Sequence, residues 1–349
     1  MASGSVRVRR VGFRLGTDDE LAAMHLVETE IEAERWPGRA PQPLDSYRSF
    51  ARSLPSQVDD HTWLAEAGDG VALGCSACWS NAAGDPGVME CYVYVRPSWR
   101  RQGIGRRLAS AVIEEAQNDR RSMLVWATYG SAASGESFSR RLGGRVARVN
   151  RMSELHFENL DGEMLRSWID DGRGRAMGYS LDFSECPFSP HLLEDAARFH
   201  DIMNTAPRED LAVGDTTLTA QQVAEIDRHL VESGRERWTI LVRDPEGGCV
   251  GGTEMTFASW QPAIASQEDT AIDPFHRGLG LGKWAKAAML ARIQQQRPEV
   301  TVVLTGNTSS NEPMLAINDA LGFGVIKDCT EWQADVSVVS RWDASSPSV

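Results

Sequence analysis

A chain of 349 residues is long enough for two domains of about 150 residues each, and a hydrophobic content of 42% supports packed cores and excludes wholesale disorder. The 49 acidic residues outnumber the 36 basic ones, and the net charge of −13 argues against nucleic acid as a partner while weakly favouring a cationic small molecule. No stretch approaches the roughly 20 apolar residues of a membrane span, so the sequence predicts a cytoplasmic protein without a membrane partner. Six cysteines are too few for a disulfide framework. Cys75 and Cys78 form a lone C-x-x-C with no second ligand pair, so they are expected as buried thiols and no metal is expected.

In chain order, the first well-marked strand is Met89–Val95, with alternation at Tyr92 and Tyr94. The segment Val95-Arg-Pro-Ser-Trp-Arg-Arg-Gln-Gly-Ile-Gly-Arg106 comes after it. It leads into a helix with Leu108, Val112, Ile113 and Ala116 on one face. A strand at Met123–Ala127, a second helix and Gly143 come next. Asp170–Arg175 (Asp-Asp-Gly-Arg-Gly-Arg) reads as a turn or linker, which places the boundary near Arg175. The pattern then repeats. A short strand, Asp269–Ile272, runs into Ile272-Asp-Pro-Phe-His-Arg-Gly-Leu-Gly-Leu-Gly-Lys283. Ala285, Met289 and Ile293 share a helix face that Pro298 closes. A strand at Val300–Thr305 and then Gly322 complete the second copy. The two motifs lie roughly half the chain apart, as duplication of a domain would place them. The expected organisation is therefore residues 1–175, residues 176–340 and a frayed tail at 341–349.

A strand that turns into a helix through Arg-x-x-Gly-x-Gly presents unpaired N–H groups and the positive end of a helix dipole. Glycine lets that backbone approach a ligand closely. Arg100, Arg101 and Arg106 in the first copy, and Arg277 and Lys283 in the second, add positive charge. This is a cradle for a diphosphate. A Rossmann turn fails because Leu108 stands where the third glycine belongs, and a Walker loop fails at Arg277 and Trp284.

At Arg100–Gly105 and Arg277–Gly282 the sequence resembles the GNAT superfamily of acetyl-CoA-dependent N-acetyltransferases, whose pattern is Gln/Arg-x-x-Gly-x-Gly/Ala. The layout is similar to the tandem two-domain enzymes of actinobacteria, the group that includes mycothiol synthase. The resemblance implies an α/β (α+β) fold of two tandem domains, each with a mixed central sheet splayed between its fourth and fifth strands and flanked by helices. Acetyl-CoA would lie in the splay. The residues implied to hold it are Val93, Val95, Arg100, Arg101, Gln102, Gly103, Ile104, Gly105 and Arg106 in the first half. In the second half they are Ile272, Arg277, Gly278, Leu279, Gly280, Leu281, Gly282, Lys283 and Asn311. The oxyanion donor is implied to be a backbone N–H near Val95 or Ile272.

The family's Asn-x-x-Ala-x-x-x-Tyr-x-x-x-Gly-Phe reads Asn311, Asn318 and Gly322-Phe323 in the second half. The first half has Ala132, Ser139 and Gly143-Gly144 in that register and keeps less of the pattern. The C-terminal half is therefore expected to be catalytic. Asn318 would take the place of the Tyr that often serves as general acid, and a base would come from Glu254, Asp269 or Glu268. Glu254 reads equally as a solvated strand residue, and Asn311 equally as a helix cap. His276 would pack on the surface or touch phosphate. With no Gly-x-Ser-x-Gly elbow in the sequence, direct attack of an amine in a ternary complex is expected, in a monomer or homodimer acting on a small-molecule amine. The rival expectation is an acyl-CoA-binding or partner-binding protein without turnover.

Overall fold

A computed structural model describes residues 6–130 and 133–344. The elements in order are β1 (Arg7–Val11), α1 (Asp18–Arg35), α2 (Leu44–Arg52), β2 (Val58–Glu66), β3 (Ala72–Asn81), β4 (Val88–Val95), α3 (Ile104–Asn118), β5 (Met123–Tyr129), α4 (Ala133–Leu142), β6 (Arg145–His156), α5 (Gly162–Arg175), β7 (Ser180–Glu185), α6 (Leu193–Met203), α7 (Ala220–Glu232), β8 (Arg235–Arg243), β9 (Cys249–Ala258), β10 (Ile264–Ile272), α8 (Leu281–Gln296), β11 (Val302–Thr308), α9 (Glu312–Leu321), β12 (Gly324–Asp335) and α10 (Val336–Ala344). None of the described helices is long and apolar enough to cross a membrane.

The chain divides into two compact units. The first comprises the residues up to Val149, Glu209–Gly214 and those from Cys329 on; the second is Asn150–Arg208 with Asp215–Asp328. In the first unit the strands run β1-β2-β3-β4-β5-β12. All neighbours are antiparallel except β4 and β5, which pair in parallel over Val88–Glu90 and Met123–Val125 alone. In the second unit they run β7-β8-β9-β10-β11-β6. There the single parallel pair is β10 with β11, over Ile264–Gln267 and Val302–Thr305. Each unit is thus a mixed sheet whose fourth and fifth strands part after a few residues. This is the expected splay, in both halves.

The last strand of each sheet comes from the other half of the sequence. Cys329–Asp335 pair with β5, and Asn150–His156 pair with β11. The boundary consequently falls at 149/150 and not near Arg175. Asp170–Arg175 is the end of helix α5, whose Asp161 N-cap accepts hydrogen bonds from the Glu163 and Met164 amides. Gly172 in that helix lets the Trp284 ring approach: a Cβ at 172 would lie 2.4 Å from Trp284 Cγ. The expected tail is also corrected in part. Residues 341–344 belong to α10, whose Trp342 ring meets Phe138 edge-on at 6.1 Å; residues 345–349 lie outside the described part.

Helix α3 buries Leu108, Val112, Ile113 and Ala116, and α8 buries Ala285, Met289 and Ile293, as the spacing predicts. Cys75 and Cys78 are buried in β3, and burial raises both thiols.

Candidate active site

Two of the helices show what the cradles lack. Thr17 and Thr219 close capping boxes on α1 and α7 with Glu20 and Gln222. Helices α3 and α8 begin instead at Gly103 (φ 79°) and Gly280 (φ 80°), with no side-chain cap. Their first N–H groups have no intrahelical partner. Arg101 (φ 65°) and Gly278 (φ 84°) are also left-handed at matching positions. A Cβ built on Gly103, Gly278 or Gly280 would meet nothing within 4 Å, so the space over each helix start is open. The Ile104 and Leu281 side chains are buried in the cores, leaving only their backbone N–H groups for a ligand. Gln102 and Leu279 are exposed beside the glycines.

Arg100 and Arg277 both fold back on the strand that precedes them. Arg100 Nε donates to Val95 O at 3.1 Å and Arg277 Nε to Ile272 O at 2.8 Å. Their outer nitrogens bind Glu34 of α1 and Thr205 Oγ1 respectively. These two arginines brace the cradles. Lys283 lies with its Nζ 3.9 Å from the Trp168 ring centroid, and Arg106 donates to Asp343 O at 3.0 Å. His276 Nδ1 lies 2.8 Å from the Tyr179 hydroxyl, the packing role weighed against phosphate contact.

In the first unit a cavity of about 420 Å³ opens where β4 and β5 part, lined by Val93, Tyr94, Val95, Arg101, Gly103, Gly105 and Arg106 among others. Arg35 bridges its inner end: its guanidinium lies 5.4 Å from the Tyr94 ring and 4.2 Å from the Tyr129 ring and donates to the Tyr94 hydroxyl at 3.1 Å. Behind it, Glu28 accepts from the Tyr47 and Tyr92 hydroxyls at 2.8 Å each, and burial raises its carboxyl. Ser139, in the register of the family's Tyr, accepts from Trp126 Nε1 and donates to Gly135 O. Ala132 lies outside the described residues.

The second unit carries a different chemistry at the same place. In β10 the register slips between Gln267 and Thr270, so Glu268 and Asp269 together stand opposite Glu254 of β9. Glu254 is 3% exposed and is no solvated strand residue. It accepts from Thr239 Oγ1 at 2.9 Å and lies 3.5 Å from Arg237 Nε. Arg237 is held by buried Asp227 at 2.6 Å. Gln267 ties the bulge with bonds to Thr253 Oγ1 and Glu254 O. Burial, together with the carboxylates of Glu254 and Glu268, pushes Asp269 up to about 7. Burial also lowers His200, whose Nε2 is buried without a hydrogen-bond partner.

Asn318 is buried, with Nδ2 donating to Asn307 Oδ1 at 2.6 Å and Oδ1 accepting from Lys286 Nζ at 2.9 Å. Asn311 stands at the N-cap position of α9 but makes no side-chain cap bond, so capping does not occupy its amide. The sequence reading missed Lys286, Arg237, Asp227 and His200. Asp59, His61 and Asp119 bring ligand atoms within 4.8 Å of one another in the first unit. Arg10 sits on His61 Nδ1 and pairs with Glu115 at 3.1 Å, and Arg121 lies 3.7 Å from Asp119, so arginines already partner this cluster.

Residues 27–143 match the model of the acetyltransferase (GNAT) family. A comparison with curated proteins finds no match. Solved structures similar to this chain include a tandem GNAT protein from the clavulanic acid biosynthesis pathway, 21% identical over 98% of this chain and 100% of that one, TM-score 0.75. Others are a GCN5-related N-acetyltransferase from Sphaerobacter thermophilus (14%, 94% and 96%, TM-score 0.61) and a putative acetyltransferase from Pyrococcus horikoshii (12%, 96% and 90%, TM-score 0.53). The family match lies in the half that keeps less of the motif after the fifth strand. The chain is a two-unit protein with the GNAT acetyltransferase fold, and its residues 27–143 carry the family's signature.

Proposed function

We propose that this protein transfers the acetyl group of acetyl-CoA to the amine of a small molecule, with the chemistry in the C-terminal unit and a coenzyme held without turnover in the N-terminal cleft. The bulge in β10 carries this reading. It sets Asp269, with a carboxyl near 7, two residues beyond the last pair of β10 with β11, at the mouth of the splay. A group titrating near neutrality is suited to accept a proton from an ammonium or an attacking amine. An unperturbed carboxylate, several units below an amine, is not.

The cradle at Gly278–Lys283 would receive the diphosphate through the uncapped N–H groups of α8. The donor to the carbonyl oxygen, where charge develops, would be a backbone N–H of β10 near Ile272. The amine attacks the carbonyl carbon, a C–N bond forms, the C–S bond breaks with its electrons going to sulfur, and Asp269 takes the amine proton. Glu254, held by Thr239 and Arg237, keeps the local charge that tunes Asp269. In the N-terminal cleft Ser139, in the register of the family's Tyr, is engaged by Trp126 and the Gly135 carbonyl, which supports binding without turnover there.

The test is incubation with labelled acetyl-CoA and a panel of amines. The expected result is N-acetylated product and a kcat whose acid limb has a midpoint near pH 7 and is absent in Asp269→Asn. Tight binding of acetyl-CoA with no product from any amine would favour the second reading, a coenzyme-binding protein without turnover.

A further inference from the structure

Lys286 is the least expected side chain in the second unit. It sits on α8 and is 1% exposed, although a lysine is almost never fully buried without a charged partner. No carboxylate faces it: its polar neighbours are Asn318 Oδ1 at 2.9 Å and Met314 Sδ at 3.7 Å, and the Phe323 ring lies 5.7 Å away. Burial alone lowers its amine to about 7. A methionine or leucine would fill this space without that cost, so the amine calls for a role.

The hydrogen bonds give its direction. Lys286 donates to Asn318 on α9, and Asn318 donates to Asn307 on β11. Asn307 lies two residues beyond Thr305, the last β11 residue paired with β10, just as Asp269 lies two residues beyond Gln267. Asp269 and the Lys286–Asn318–Asn307 chain therefore flank the mouth of the same splay from its two strands.

We propose that Lys286, acting through Asn318, stabilises the thiolate that leaves when the acetyl group is transferred in the C-terminal unit. The inference rests on the reading given under Proposed function. As the C–S bond breaks, the electron pair settles on sulfur. The Asn318 amide has two N–H donors, one of which goes to Asn307; the other is the donor to sulfur. Lys286 binds the oxygen of the same amide, polarises it and places a positive charge behind it. Negative charge at the sulfur favours the ammonium form of a lysine balanced near neutrality. The amine proton goes to Asp269, and CoA departs as the thiolate. Lys286 is thus a positioning and electrostatic residue.

Lys286→Met keeps the volume and removes the charge. The expected result is a kcat about 10- to 100-fold lower, the usual loss for a supporting partner, with unchanged acetyl-CoA affinity. In the unaltered protein kcat should decline above about pH 7 as Lys286 loses its proton. In Lys286→Met that alkaline decline should vanish, while the acid limb from Asp269 remains. Asn318→Ala, a smaller side chain in the same relay, should show the same loss of both rate and decline if Lys286→Met does not fold. Full rate in the variants, or a lower rate with the alkaline decline intact, would overturn the proposal. Full turnover by Gly280→Leu would overturn it together with the assignment of chemistry to this unit, a result distinguishable because it does not involve Lys286.

Discussion

In both units a left-handed glycine opens an uncapped helix beside two parallel strands that part after three or four pairs. The inner end of each splay separates the two halves. In the first unit β3 and β4 pair without a slip from Gly74 and Val95 to Trp79 and Glu90, and Arg35 rests between the Tyr94 and Tyr129 rings. In the second unit β10 bulges opposite Glu254, half-buried Asp269 lies two residues beyond the last β10–β11 pair, and burial brings both Asp269 and fully buried Lys286 to about 7. A shared backbone thus supplies two open, uncapped helix starts; Asp269 and Lys286, both brought to about 7, lie in the second unit, while burial raises the Glu28 and Glu90 carboxyls in the first.

The sharpest break in the comparison is Asp269→Asn. It should lower kcat by about 10²- to 10⁴-fold, the usual contribution of a general base, and leave acetyl-CoA affinity unchanged in calorimetry. An unaltered rate would remove the reactive distinction between the halves. Glu254→Gln should act more gently. Gln still accepts from Thr239, but its neutral amide no longer raises Asp269. The acid limb of kcat should shift to lower pH, and a limb that stays near 7 would remove Glu254 from the tuning of Asp269.

Stability should mirror reactivity. Asp269 has its folded pKa near 7, above the unfolded value, so it contributes stability at low pH that is lost as pH rises through about 7. Asp269→Asn should therefore stabilise the protein at pH 8 by about 1 to 2 kcal/mol, allowing for partial solvent exposure, and leave it little changed at pH 4. A thermal melt at both values checks this. The smallest effect is expected from Arg35→Ala. Opening the inner end of the first cleft should leave turnover within about twofold, as expected for a group outside the chemistry; a large fall would bring that cleft into the reaction.

Much of this was legible in the sequence. The two uncapped helix starts follow from Arg-x-x-Gly-x-Gly because glycine enters the left-handed conformation without strain, and the strand and helix periodicities located β4, α3, β5 and α8. Helix α5 was misread because Asp170–Arg175 holds two glycines and four charges, which resemble a linker, and because Gly172 packs against Trp284, a residue distant in sequence. The boundary was missed because the last strand of each sheet comes from the other half of the sequence, a pairing that local periodicity does not show. Glu254 looked ambiguous because its partners Thr239 and Arg237 lie on another strand. Lys286 did leave a signal: with Met289, Leu290 and Ile293 it falls at the spacing of a buried helix face, where a lysine contradicts the pattern.

The central claim is that the second cradle serves turnover and the first does not. Steady-state turnover of Gly103→Leu and Gly280→Leu, measured side by side with each variant's acetyl-CoA stoichiometry, tests it most directly. Each leucine would project into the open space over its helix start, where the proposal seats the diphosphate. Each variant should lose one bound coenzyme; Gly103→Leu should keep most of its activity and Gly280→Leu should lose it. An active Gly280→Leu beside an inactive Gly103→Leu would contradict the claim and assign the chemistry to the N-terminal unit.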